Sequence, residues 1–172
     1  LQTADGVHRD LLELYCGNGN FTLPMSSCYG KVVALERDKR AVQFAQECAD
    51  VAGINNITFL RMTAEECMAA LAGIRPFRRI IDAGLDLQTL DISTVVVNPP
   101  RAGMSKDVIE MVQQFDACIY ISCSPKKLAR DIAQFSGYRV TAACLFDQFP
   151  WTTHAEVGIC LERDETKQDA AC

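Results

Sequence analysis

Residues 10–20 read DLLELYCGNGN: a short apolar run from Asp10 to Tyr15 that breaks at Cys16-Gly17-Asn18-Gly19-Asn20. An apolar run of this length closed by glycines reads as a buried strand entering a tight turn. Outward from it the pattern alternates. Residues 31–35 (KVVAL) are a second β-branched run, closed by Glu36, and residues 38–52 place apolar side chains at helical spacing before stopping at Gly53. Asn55-Asn56 turns the chain into a third strand over residues 57–60. Thr63, with Glu66 three residues on, has the form of a capping box and predicts a helix over residues 64–72.

Residues 73–91, interrupted by Pro76 and Gly84, read as helix or loop. A strand over residues 94–97 halts at Asn98-Pro99-Pro100, and residues 106–115 have amphipathic helical spacing. Residues 117–121 form a strand that runs into Ser122-Cys123-Ser124-Pro125, with a helix over residues 125–135 whose first turn suits proline. Two further strands, residues 138–146 and 156–161, follow without an intervening helix. Strands alternating with helices predict an α/β fold with right-handed crossovers and a mostly parallel sheet, and the last two strands predict an antiparallel C-terminal hairpin.

With 172 residues the chain is long enough for one domain with a sizeable core, expected here over residues 1–163 with a disordered tail at 164–172. No apolar run approaches the roughly 20 residues of a membrane helix, and no signal sequence opens the chain, so a cytoplasmic protein is expected. The chain opens on Leu1 and reaches a strand within about ten residues, which suggests a piece of something longer. Its nine cysteines form no C-x-x-C pair, which argues for reduced thiols over a disulfide framework or zinc knuckle. With only His8 and His154 available, a histidine-based metal site is not expected. The formal net charge of −5 argues against strong polyanion binding by this segment alone, although basic residues cluster at Arg75 to Arg79 and at Lys126, Lys127 and Arg130.

Two places carry chemistry. In an open α/β sheet, ligands gather at the carboxyl ends of strands, where the first strand ends in Gly17-x-Gly19 and the second in Glu36. Glycines admit close backbone approach, and an acid at that strand end can accept hydrogen bonds from both hydroxyls of a ribose. The third glycine of the dinucleotide fingerprint is replaced by Thr22, and Asn20 offers an amide to a carboxylate or amine, which disfavours NAD and favours S-adenosylmethionine. The second place is Cys123, a thiol on a loop held by a rigid strand, a position that suits a nucleophile. The competing reading is that cysteines are more often small core residues.

Four stretches together resemble the RNA uracil-C5 methyltransferases: Leu14-Tyr15-Cys16-Gly17-Asn18-Gly19-Asn20-Phe21, Asn98-Pro99-Pro100-Arg101, Tyr120-Ile121-Ser122-Cys123-Ser124-Pro125, and Phe146-Asp147-Gln148-Phe149-Pro150 with Thr153-His154-Ala155-Glu156. The wording is most similar to the transfer-RNA branch. The resemblance implies a Rossmann-like class I S-adenosylmethionine-dependent methyltransferase acting on uridine 54 of the tRNA T-loop. It implies cofactor contacts from Tyr15, Gly17, Asn20, Glu36 and Asn98, Cys123 as nucleophile and Glu156 as general base. Glu156 could instead be an ordinary edge carboxylate, His154 reads as a surface turn residue rather than a proton shuttle, Trp151 and Phe149 as packing or as aromatics that could stack on an extruded base, and Arg101 as a phosphate ligand or loop cap.

Two residues depart from the family pattern. Asn98 stands where aspartate is usual, an amide that keeps size but loses charge, and Ser124 stands where asparagine is usual. The family's N-terminal RNA-binding region has no counterpart in these residues, so weak RNA affinity is expected of this chain alone. The alternative readings are the ribosomal-RNA branch, an amino methyltransferase suggested by Asn98-Pro99-Pro100 but lacking an aromatic fourth residue, and a degenerate cofactor- or RNA-binding domain.

Overall fold

In the computed structural model, which describes residues 9–148, 150–152, 155–164 and 166, the opening apolar run is strand β1 (Asp10–Leu14). Leu11, Leu12 and Leu14 are fully buried, each contributing about 2 kcal/mol by removal from water. Continuous burial of this kind is what a parallel strand covered on both faces requires. β1 pairs in parallel with β2 (Val32–Glu36), and β2 in parallel with β3 (Ile57–Arg61). These strands belong to the first of two compact units, Leu1–Ser93 and Thr94–Cys172.

The glycine turn leads into a short helix α1 (Thr22–Met25), which the sequence pattern did not reveal because four residues carry no periodicity. Helix α2 (Lys39–Ala52) lies between β2 and β3, with the Asp38 side chain accepting from the Ala41 amide at its start. It ends at Gly53, whose φ of 67° lets the Ile54 amide donate back to the Ala49 carbonyl at 3.0 Å. Helix α3 (Ala64–Leu71) has the expected capping box between Thr63 and Glu66. The ambiguous stretch that follows resolves into helix α4 (Arg78–Asp82) and a single 3-10 turn at Leu87–Thr89.

The boundary between the units falls within β4 (Ile92–Val97), whose Val95, Val96 and Val97 are fully buried. Helix α5 (Lys106–Val112) and strand β5 (Ala117–Ser122) follow, with β4 and β5 parallel. Helix α6 (Pro125–Ile132) starts on its proline. Both helices stop three residues short of the expected ends, at tight turns in which Gln114 donates to the Met111 carbonyl and Phe135 to the Ile132 carbonyl. Strands β6 (Tyr138–Phe146) and β7 (Glu156–Arg163) form the antiparallel hairpin, and β7 also pairs antiparallel with β5. β6 is the edge, exposed from Arg139 onward and irregular in register between Val140 and Ala142. The alternating parallel strands and the C-terminal hairpin expected from the sequence are both present.

Candidate active site

The turn after β1 is built from backbone. Tyr15, Gly17 and Gly19 have φ of 62°, 55° and 81°, left-handed conformations that glycine adopts freely and tyrosine only when held. The Cys16 amide donates to the Leu35 carbonyl at 2.9 Å, and the Gly19 amide to the Cys16 carbonyl at 3.0 Å. The two glycines have different reasons to be there. A Cβ at Gly19 would lie 3.3 Å from the Ala45 Cβ and 3.5 Å from the Phe59 ring, so the loop packs closely on α2 and β3. A Cβ at Gly17 would meet nothing within 4 Å, which leaves that face of the loop open as a cradle.

Glu36, at the end of β2, braces the cradle. One carboxylate oxygen accepts from the Gly17 amide at 3.2 Å and the other from the Asp38 amide at 2.8 Å. A carboxylate offers about four lone-pair sites, so capacity remains for hydroxyl donors. Tyr15, Gly17, Asn20 and Glu36 therefore converge on one loop and one strand end, with Asn20 exposed and Tyr15 half-buried.

Beneath the loop lies a residue that the strand pattern hid. Glu13, mid-strand in β1, is fully buried, with Oε2 accepting from the Thr22 hydroxyl at 2.5 Å and Oε1 lacking a hydrogen-bond partner. Burial pushes its carboxyl up to about 7, opposed in part by that hydroxyl. Burial also raises the Cys16 thiol, and the charges of Glu13 and Glu36 raise it further, so Cys16 is a neutral thiol unsuited to nucleophilic attack. The only sequence signal for Glu13 is an acid inside an otherwise apolar run.

In the second unit, strand register assembles the other candidates. Val97 pairs with Tyr120 and Ser122 with Val157. Asn98 directly follows Val97, Cys123 directly follows Ser122 and Glu156 directly precedes Val157, so the three candidates stand next to the terminal pairs at the same end of β4, β5 and β7. Cys123, Asn98 and Glu156 are half-buried. The Ser122 hydroxyl clasps the turn bearing the thiol, donating to the Ser124 carbonyl at 3.3 Å and accepting from the Ser124 amide at 3.1 Å. By contrast, burial raises the thiols of Cys118 and Cys67, the latter to about 12.

After Asn98 and the buried Pro99, the Gly103 amide donates to the Pro100 carbonyl at 2.8 Å, closing a turn with Arg101 exposed near its tip. Lys126 is exposed on the first turn of α6 and Lys127 half-buried, and Arg130, also exposed, pairs with the buried Asp131. The Arg75 to Arg79 cluster is structural in part: Arg79 bridges to Glu66 at 3.0 Å and Arg75 lies over the Phe77 ring. Trp151, expected to pack, is fully exposed with φ of 67°. Phe149, Thr153, His154 and most of the tail after Arg163 lie outside the described residues.

Among the described residues no group of three potential ligands could hold a metal, and no helix is long and apolar enough to cross a membrane.

The family model described as tRNA (Uracil-5-)-methyltransferase matches residues 1–164. The chain is 49% identical over 155 residues to a tRNA/tmRNA (uracil-C(5))-methyltransferase of Idiomarina loihiensis and 50% identical to one of Ectopseudomonas mendocina, covering 90% of this chain and 42% of each relative. It thus spans about two fifths of the length of the curated relatives it matches. Among solved structures, the tRNA (uracil-54, C5)-methyltransferase of Pyrococcus abyssi in complex with S-adenosyl-L-homocysteine superposes with a TM-score of 0.70 at 21% identity, covering 89% of this chain and 34% of that one. TrmN from Thermus thermophilus does so with 0.63 at 20% identity, covering 91% and 44%. Likeness at that identity shows a shared fold, the Rossmann-like methyltransferase architecture.

Proposed function

The chain belongs to the tRNA (uracil-5-)-methyltransferase family, and from that membership we propose that it is the catalytic portion, over residues 1–163, of a cytoplasmic enzyme that methylates carbon 5 of uracil in transfer RNA and transfer-messenger RNA, with uridine 54 of the T-loop as target. The observation that carries the reading is the β5–β7 register, which brings a loop thiol and a strand-start carboxylate to one rim.

Carbon 5 of uracil is a weak nucleophile. The thiolate of Cys123 adds to carbon 6, and the electron pair of the carbon 5–carbon 6 double bond moves into an enolate that makes carbon 5 nucleophilic. S-adenosylmethionine, when bound, supplies an electrophilic methyl group on a sulfonium. After carbon 5 has taken that methyl, the Glu156 carboxylate removes its remaining proton. The double bond re-forms as the carbon 6–sulfur bond breaks and returns the thiolate.

The glycine loop fits the cofactor. The open face at Gly17 admits a ligand against the backbone, Glu36 retains lone pairs for ribose hydroxyls, and the exposed Asn20 amide can bond the amino acid end. Tyr15 contributes an aromatic face at the start of the same turn, and Asn98 a neutral amide on the catalytic rim. The net charge of −5 argues for only weak RNA affinity of these residues by themselves.

The test is the fate of ordinary RNA in the Glu156→Gln variant. With S-adenosylmethionine and transfer RNA, wild-type chain is expected to release RNA carrying 5-methyluridine, and the variant to accumulate a covalent protein–RNA species because the carbon 5 proton stays in place. Unchanged turnover in the variant would remove Glu156 from the mechanism.

A further inference from the structure

Asp131 is the one charged side chain of α6 that is completely buried, and it sits eight residues beyond the thiol proposed above. One oxygen accepts from the Tyr120 hydroxyl at 2.7 Å and from the Met104 amide at 2.9 Å. The other faces Arg130, whose Nε donates at 2.7 Å and whose Nη2 also closes on it. That same Nη2 donates to the Ala102 carbonyl at 3.1 Å and the Met104 carbonyl at 3.3 Å. Tyr120 is itself fully buried, and burial followed by the bond to Asp131 holds its phenol proton in place. Gly103 completes the arrangement: with φ of 80°, a Cβ there would lie 2.5 Å from the Asp131 carboxylate and 2.6 Å from Arg130 Nη2.

A buried carboxylate is costly unless every lone pair is engaged, and an apolar residue at this position of the helix would avoid the cost. What the acid adds is geometry. It joins three segments at one point: the strand that delivers Cys123, through Tyr120; the helix that leaves Cys123; and the loop that follows Asn98, through Met104 and Arg130.

We propose that Asp131 is a positioning residue for the nucleophile, a clamp that holds the Cys123 turn and the Asn98–Met104 loop in fixed relation. The role in turnover rests on the uracil-C5 methyltransferase reading; the clamp itself does not. Asn at position 131 keeps the shape but fails in either orientation, because its NH2 must face two donors at whichever oxygen it replaces.

The experiment uses the 172-residue chain and two readouts. The first is iodoacetamide labelling followed peptide by peptide, with exposed Cys28 and Cys144 and buried Cys118 as internal standards. In Asp131→Asn and Gly103→Ala, Cys123 labelling is expected to rise about tenfold, the equivalent of one lost charge-assisted hydrogen bond, and in Tyr120→Phe about threefold, with the standards unchanged. The second is covalent capture by RNA containing 5-fluorouridine, expected to slow by similar factors in the same order. Cys123 labelling at the wild-type rate in Asp131→Asn would overturn the proposal, as would a parallel rise at Cys118, which would mean general loosening. If the wild-type chain captures no RNA, the functional reading fails while the labelling still decides the clamp.

Discussion

The glycine turn at residues 15–20 and the thiol turn at residues 122–125 each follow a strand with a buried core, yet they are held by different means. The first is shaped by backbone: three left-handed residues, amide bonds to Leu35 and Cys16, and a carboxylate bracing Gly17. The second is shaped by side chains: the Ser122 clasp across Cys123, and Asp131 gripping Tyr120 three residues upstream. The difference fits the roles proposed for the two turns. A ligand cradle needs exposed amides and space, which glycine supplies; a nucleophile needs one sulfur held in place, which packed polar contacts supply.

Breaking the thiol turn has the largest expected effect. Cys123→Ala should lower methyl transfer by at least about 1000-fold without lowering thermal stability, as is usual for loss of a covalent nucleophile. Retained activity would shift the chemistry to another thiol.

Next comes the pH response beneath the glycine turn. Glu13 titrates near 4.5 when unfolded and at about 7 when folded. Below 4.5 both states are protonated. Between 4.5 and 7 the folded chain binds a proton that the unfolded chain does not, so stability falls as pH rises through that window, by about 3 kcal/mol in all. Glu13→Gln should abolish this slope in urea unfolding measured from pH 5 to 8, and an unaltered slope would place it elsewhere.

The two glycines sharpen the comparison further. Gly19→Ala adds crowding against Ala45 to its left-handed strain and should cost about 2 to 3 kcal/mol; Gly17→Ala carries only the strain, about 1 kcal/mol. Equal costs in urea unfolding would show that close packing at Gly19 is immaterial. Gly17→Ala, mild for stability, should nonetheless weaken S-adenosylmethionine binding by filling the cradle. The smallest effect is expected of Ser122→Ala, about 1 kcal/mol of stability from the lost clasp.

Much of this was legible in the sequence where local chemistry decides. The Thr63 and Glu66 cap, the stop at Gly53 and the proline start of α6 were each readable because a single residue type has one good reason to stand there. Cys123 and Glu156 were readable as candidates, but their meeting on one rim depends on the antiparallel register of strands separated by more than thirty residues. Asp131 was not readable, and Glu13 only as an acid inside an apolar run. Each is an acid whose meaning comes from burial, and the pairing of the exposed Arg130 with Asp131 is visible only in space.

The central claim is that Cys123 forms a bond to carbon 6 of uracil. Incubating the chain with S-adenosylmethionine and transfer RNA containing 5-fluorouridine tests it, because fluorine cannot be removed by Glu156 as a proton and the adduct is trapped. The expected result is a stable protein–RNA species whose proteolytic peptide carries the modified nucleotide on Cys123. No adduct, or an adduct on any other cysteine, would contradict the account.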